Sequence, residues 1–290
     1  MTYQNFISSF SLDRRIPIYF TLLSGILISQ IYYYFQLSPY FISSSSSSLP
    51  AVTTPKTSTS SFILSSIPFN LQSWYFYVAI LAFFHLGEYT LTAWYQPHRV
   101  NVDSFLLNHS RPYHIAVSIA ILEYWLERTY GTNMLWLSLI KTSATSYTFY
   151  IGCILVSIGQ LCRILAMSTA GSNFSHLIVD TKDPSHQLVT HGIYSILRHP
   201  AYTGWFYWSI GTQCILGNPI CIIIYTIVSW KFFADRIPYE EYTLLQFFQW
   251  NYVEYAKKTY ILIPFIQSPA ATYHHHEDNN DNEIEKDYND

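Results

Sequence analysis

Six apolar runs in succession constrain this chain more than any other feature of its sequence. Residues 16–35, 74–95, 113–130 and 147–170 each supply about twenty mostly apolar positions, enough for a helix to cross the roughly 30 Å hydrocarbon core of a bilayer. Two shorter runs, 202–216 and 220–233, are joined by Gly217-Asn218-Pro219, a turn sequence that folds them into a tight helical hairpin, 201–233. The expectation is an all-α, polytopic integral membrane protein with about six transmembrane or re-entrant helices. Only 11% of residues are charged, less than half the usual share of about 25% in soluble domains. That composition leaves nothing from which to build a sizeable soluble domain.

The polar stretches orient these spans. Arg14 and Arg15 precede the first run, which places residues 1–15 in the cytosol and makes 16–35 a signal anchor rather than a cleaved leader. The connection 36–73 contains six consecutive serines at 43–48, several prolines and one charge, Lys56; it reads as a disordered lumenal loop. Residues 74–170 hold transmembrane helices two to four. Of the fifteen lysines and arginines, only Lys56, Arg128 and Lys141 fall on the far side, so both termini are expected to be cytosolic. Segment 231–258 has apolar residues at near-helical spacing and reads as a cytosolic amphipathic helix with Pro238 in its first turn. Residues 266–290 form an acidic tail without a folding pattern.

Ionisable side chains inside apolar runs call for partners. His85 and Glu88 share one helical face, and an internal hydrogen-bonded pair explains them better than a metal site, since no matching second motif exists. Glu123 and Glu127 also share a face, and Arg163 in the next span is an expected partner for one of them. The four cysteines lie in apolar runs without C-x-x-C spacing and read as buried small hydrophobes. No metal is expected. A formal net charge of −3, with much of the acid in the tail, excludes a nucleic-acid partner.

Chemistry concentrates in residues 185–202, S-H-Q-L-V-T-H-G-I-Y-S-I-L-R-H-P-A-Y. Basic residues beside a span can serve merely as headgroup anchors, yet Pro200 fixes a helix start directly after Arg198 and His199 and aims both at one spot. The two ends of the hairpin emerge on the same side, so His199 and Arg236 must be neighbours. Glu240 follows Arg236 by four residues, on the same helical face. Imidazoles, hydroxyls, a guanidinium and a carboxylate thus converge at a membrane entrance, an arrangement suited to a substrate with a polar head and a lipid tail. No glycine-rich phosphate loop, H-E-x-x-H or G-x-S-x-G occurs.

From Phe84 to Phe265 the chain resembles the protein-S-isoprenylcysteine O-methyltransferases. The likeness is carried by H-L-G-E-Y in the second span, D-S-F-L-L-N-H-S at 103–110, G-S-N-F at 171–174, H-Q-L-V at 186–189 and G-I-Y-S at 192–195. It continues through R-H-P-A-Y-T-G-W-F-Y-W-S-I-G-T-Q at 198–213, G-N-P-I-C, and D-R-I-P-Y-E-E-Y. R-H-P-x-Y alone is shared with sterol reductases and other membrane methyltransferases; the long run with R-x-x-x-E after the hairpin is specific. The resemblance implies a catalytic region at 171–265, with short cytosolic loops forming a pocket for S-adenosyl-L-methionine. It assigns that cofactor to His186, Gln187, Leu188, Val189, Tyr194, His199, Pro200, Ala201, Tyr202 and Glu240, and the substrate carboxylate to Arg236. Val179 stands where relatives can carry a glutamine at the cofactor. The implied substrate is the prenylated C-terminal cysteine of processed CaaX proteins, and the implied location is the endoplasmic reticulum membrane. Two other readings are an NADPH-dependent sterol reductase-like enzyme and a non-enzymatic lipid-binding membrane protein. The cytosolic loops offer few cations for a 2′-phosphate, which disfavours the first.

Overall fold

The computed structural model describes residues 3–45, 69–108, 110–130, 135–182, 184 and 186–271. Its helices are α1 (Tyr3–Ser9), α2 (Arg15–Ser45), α3 (Phe69–Tyr95), α4 (Arg111–Tyr130), α5 (Leu135–Ala170), α6 (Pro200–Leu216), α7 (Pro219–Phe248) and α8 (Trp250–Lys258). Among the described residues no strand occurs, only an isolated bridge between Leu197 and Tyr260. Among the described residues three stretches are long and apolar enough to cross a membrane: Arg15–Gln36, Leu71–Tyr95 and Tyr147–Asn173. The remaining three expected spans fall short for visible reasons. α4 carries Arg111, Glu123, Glu127 and Arg128; α6 has 17 residues, about 25 Å of helix; α7 passes from apolar residues into the polar stretch around Lys231, Asp235 and Arg236. α2 continues ten residues past the expected end of the first span, to Ser45, and the remainder of the serine-rich loop and most of the acidic tail lie outside the described residues.

The chain divides into two compact units, residues 1–157 with 209–224, and 158–208 with 225–290. In the first, α2 and α3 enclose a core of Ile16, Leu23, Ala82, Leu86, Tyr89, Ala93, Val100 and Phe105. Tyr89 stacks on Phe105 with centroids 4.2 Å apart. His85 also finds partners far along the chain: its Nδ1 lies 2.8 Å from the Phe105 carbonyl and its Nε2 3.1 Å from the Tyr113 hydroxyl. A carbonyl only accepts, so Nδ1 carries the proton and Nε2 receives the Tyr113 O–H. Glu123 likewise takes partners other than Arg163. Its two oxygens accept the backbone N–H groups of Ile220 and Cys221, each at 2.8 Å, so a carboxylate occupies the electropositive start of α7. Asn218 completes the turn by donating to the Ala120 carbonyl at 2.9 Å and to Gln213 Oε1 at 3.2 Å.

The second unit contains the chemistry. Gly159 and Gly204 let two helices touch backbone to backbone: a Cβ on Gly204 would lie 2.6 Å from the Gly159 carbonyl oxygen. α7 runs without interruption through Pro238, whose missing N–H leaves the carbonyl four residues earlier without its helical donor. The expected amphipathic helix at 231–258 is therefore two elements, the end of α7 and the separate α8. They are divided at Gln249, which adopts φ +47°. α8 buries Tyr252, Val253, Tyr255 and Ala256 against Leu245 and Ala270, and Lys257 and Lys258 occupy its last turn, where cations suit the helix dipole.

Candidate functional site

α6 begins at Pro200, a residue pre-set for a first helical position, so residues 197–199 are held just outside the helix. Backbone pairing fixes them there: Tyr260 N–H donates to Ile196 O at 2.9 Å and Arg198 N–H to Tyr260 O at 3.1 Å. Arg198 then turns its guanidinium inward, donating to the Ala256 carbonyl at 2.8 Å and pairing with Glu241 at 3.3 Å. His199 is buried between two adjacent carboxylates. Its Nε2 is 3.2 Å from Glu241 Oε1, and its Nδ1 is 4.0 Å from Glu240 Oε2. The ring lies nearly parallel to Tyr202, with 5.6 Å between centroids. Tyr202 in turn accepts Arg236 Nε at 3.0 Å, and Arg236 Nη2 donates to the His176 carbonyl at 2.7 Å. The expected proximity of His199 and Arg236 is thus real, with Tyr202 between them.

These groups border an open cleft. Gln187, Leu188, Val189, Tyr194, His199, Pro200, Ala201, Tyr202 and Glu240 all line it. His186 does not, and Arg236 reaches the cleft only through Tyr202. Val179 also stands outside the lining. Asp180 and Lys182 tie the segment ahead of the cleft residues to α7, Lys182 Nζ donating to the Phe247 carbonyl at 2.6 Å and Tyr239 Oη to Asp180 at 2.8 Å.

Several lining residues escaped the sequence reading. Asn173 and Phe174 belong to the G-S-N-F turn; Leu244 and Phe248 follow Glu240 at helical spacing; Tyr252 and Tyr255 come from the buried face of α8. Near-helical spacing puts Leu244, Phe248 and Tyr252 on the apolar face of an amphipathic helix, and only the fold reveals that this face is the wall of a cleft. Glu241 was missed for the opposite reason. It is fully buried and acts through its neighbours rather than on the cleft. Burial alone raises its carboxyl, but hydrogen bonds from His199 and Ser268 and the charge of Arg198 outweigh burial and hold it below its ordinary 4.5.

The cleft is chemically unfinished. Glu240 Oε2 and the Tyr252 hydroxyl are buried without a hydrogen-bond partner, a costly condition that a ligand bearing donors and acceptors would relieve. Burial, reinforced by the nearby Glu240 charge, pushes the Tyr194 phenol well above its usual range, so it remains a neutral O–H. Leu188, Val189, Leu244 and Phe248 give the same cleft an apolar side. A small molecule with a flat apolar part and a polar, donor-rich part fits that combination.

Helices of membrane-crossing length and a cleft lined by both polar and apolar side chains place the chain in a class, the helical membrane proteins with a small-molecule cleft. The model of the isoprenylcysteine carboxyl methyltransferase family matches residues 150–246. Protein-S-isoprenylcysteine O-methyltransferase of Xenopus laevis is 46% identical over 203 residues, covering 69% of this chain and 66% of that protein. The Saccharomyces cerevisiae protein of the same name is 44% identical over 190 residues, 66% of this chain and 79% of its own length. A solved structure of the eukaryotic intramembrane Ras methyltransferase, an isoprenylcysteine carboxyl methyltransferase, superposes with a TM-score of 0.65 at 32% identity, covering 91% of this chain and 98% of that one. The chain belongs to the isoprenylcysteine carboxyl methyltransferase family.

Proposed function

We propose that the chain methylates the C-terminal carboxylate of the prenylated cysteine in processed CaaX proteins. The methyl donor is S-adenosyl-L-methionine, and the reaction takes place at the cytosolic face of the endoplasmic reticulum membrane, with both termini of the chain cytosolic. The observation that carries this reading is the convergence of the 187–202 segment and Glu240 on one cleft, where a buried Glu240 oxygen accepts no hydrogen bond and Arg236 is one hydrogen bond away.

Within this reading Glu240 receives donors of the cofactor, the neutral Tyr194 and Tyr252 hydroxyls complete its polar contacts, and Leu188, Val189 and Phe248 take its flat apolar part. S-adenosylmethionine, when bound, supplies a methyl group on a sulfonium, so transfer makes one O–C bond, breaks one C–S bond and moves no proton. An α-carboxyl has a reference pKa of about 3.5 and arrives already ionised; the chain need provide no general base. Its task is placement of the oxygen and exclusion of water. Arg236 suits that task. Among the described residues two of its N–H donors are engaged, by Tyr202 and His176, and the other three of a guanidinium's five are free to orient a carboxylate. Tyr202, Trp205 and Phe233 form an aromatic cluster, with Tyr202 and Phe233 centroids 5.2 Å apart and Trp205 and Phe233 5.9 Å apart, a surface on which a prenyl chain can lie.

The test is transfer of tritium from methyl-labelled S-adenosylmethionine to N-acetyl-S-farnesylcysteine by the purified chain in lipid. Base-labile label on the analogue is the expected result. Label absent with that acceptor and with its geranylgeranyl counterpart would overturn the reading.

A further inference from the structure

We propose that residues 259–267, the segment after α8, form a lip inserted in the membrane, whose partner is the lipid hydrocarbon of the leaflet on the cleft's side. The inference rests on the chain's membrane embedding and not on which substrate is methylated.

The segment reads T-Y-I-L-I-P-F-I-Q and carries no charge. Both of its ends are pinned. Tyr260 pairs with the backbone of residues 196 and 198; beyond the other end, the Ser268 hydroxyl is bonded to Glu241 and Ala270 is buried in the core beside α8. Between these points the main chain follows the hairpin helices rather than leaving them. Tyr207 Oη donates to the Leu262 carbonyl at 2.7 Å, and Trp230 Nε1 to the Pro264 carbonyl at 2.7 Å. Tyr207 lies seven residues into α6, and Trp230 six residues before Arg236 on α7. At 1.5 Å per residue, Tyr207 is about 8 Å along α6 from Tyr202 and Trp230 about 15 Å along α7 from Glu240, the nearest residues of the cleft on each helix. Irregular backbone at such depth is tolerated only where protein groups satisfy it, and Tyr and Trp are the side chains favoured at the bilayer interface.

A second observation concerns the tip. Phe265 adopts φ +61°, a region that bulky residues avoid, and its ring is 91% exposed. In water that strain would serve only to display a phenyl group. In hydrocarbon the same geometry buries it. Tyr260 and Leu262 are also exposed, as are Ile227, Val228 and Phe232 on the adjoining stretch of α7, so the tip extends an exposed apolar surface. Because Tyr260 is bonded to the residues just ahead of His199, and Ser268 to Glu241, seating the lip in lipid fixes the edge of the cleft against the bilayer.

The experiment places a bimane probe on Phe265→Cys in the full chain, reconstituted in phosphatidylcholine nanodiscs, with the chain lacking the introduced cysteine as blank. Glu254→Cys, on the exposed side of α8, is the comparison. Position 265 packs against nothing, and an unchanged thermal unfolding transition verifies that the labelled chain is folded. Nitroxide-bearing lipid should quench the 265 probe at least about twofold more than the 254 probe, while aqueous iodide quenches it less. Free access of iodide without lipid quenching would overturn the proposal. Shielding from both quenchers would overturn it equally, because the occupant would then be protein, such as a second copy.

Discussion

Arg198, His199, Glu240 and Glu241 show how two neighbouring carboxylates acquire different work from their surroundings. Glu240 keeps one oxygen without a partner, whereas Glu241 is fully buried and bonded by Arg198, His199 and Ser268. Replacing Glu240 with Gln should raise KM for S-adenosylmethionine about 10- to 100-fold, the worth of a hydrogen bond to a charged group, while KM for the prenylcysteine stays near its original value. An unmoved cofactor KM with a lost prenyl substrate would reverse the assignment. Arg236→Lys should cost a comparable factor in kcat/KM without being rescued by more substrate, since an ammonium lacks the planar fork. Glu241 makes a prediction in pH. A carboxyl held below its unfolded value adds stability that is complete above that value and is lost as pH falls through the folded one. Thermal unfolding at pH 7 should therefore show Glu241→Gln destabilised by about 3–5 kcal/mol, because Arg198 is left buried without its counter-charge, and the gap to the parent should narrow below pH 4.5, its ordinary value.

Among the elements, the helix pair that meets at Gly159 and Gly204 is the least tolerant of added volume. A Cβ on Gly204 faces backbone 2.6 Å away, not the flexible end of a side chain, so the helices themselves must separate. Gly204→Ala should lose about 1–3 kcal/mol. Gly25→Ala, with nothing within 4 Å of the new Cβ, should stay within about 0.5 kcal/mol of the parent. Unfolding of the two variants in the same detergent checks the contrast, and equal losses would mean that close approach is not what the glycine provides.

The reaction requires that cofactor and prenylcysteine meet on one side of the membrane, so the topology of the whole molecule is testable by its sequons. Asn108-His109-Ser110 and Asn173-Phe174-Ser175 should both remain without glycan in the endoplasmic reticulum, because the proposed orientation keeps them cytosolic. Asn173 has a further reason: its side chain accepts the Gln187 N–H at 3.1 Å and lines the cleft. Thr57→Asn, which creates a sequon in the serine-rich loop, should acquire a glycan removable by endoglycosidase. A glycan on Asn173 and none at position 57 would invert the orientation.

The sequence by itself determined the helical membrane class, through the length and spacing of its apolar runs, and much of the cleft's lining, because His199, Pro200, Tyr202 and Glu240 sit in stretches that carry the family resemblance. Those features are local, and a linear chain displays them. Partners across long separations are not local, and there the tertiary structure decided. Glu123 went to the backbone amides at the start of α7, and His85 reached Phe105 and Tyr113, 20 and 28 residues away. A charge pattern states only that a buried group needs a partner, while the fold chooses which donor arrives, backbone amides included. Pro238 gave the same lesson in reverse: its sequence position suggested a helix start, yet α7 passes through it. The aromatic residues of α8 were legible as buried but not as cleft wall, since periodicity reports that a face is covered and only the folded chain supplies what covers it.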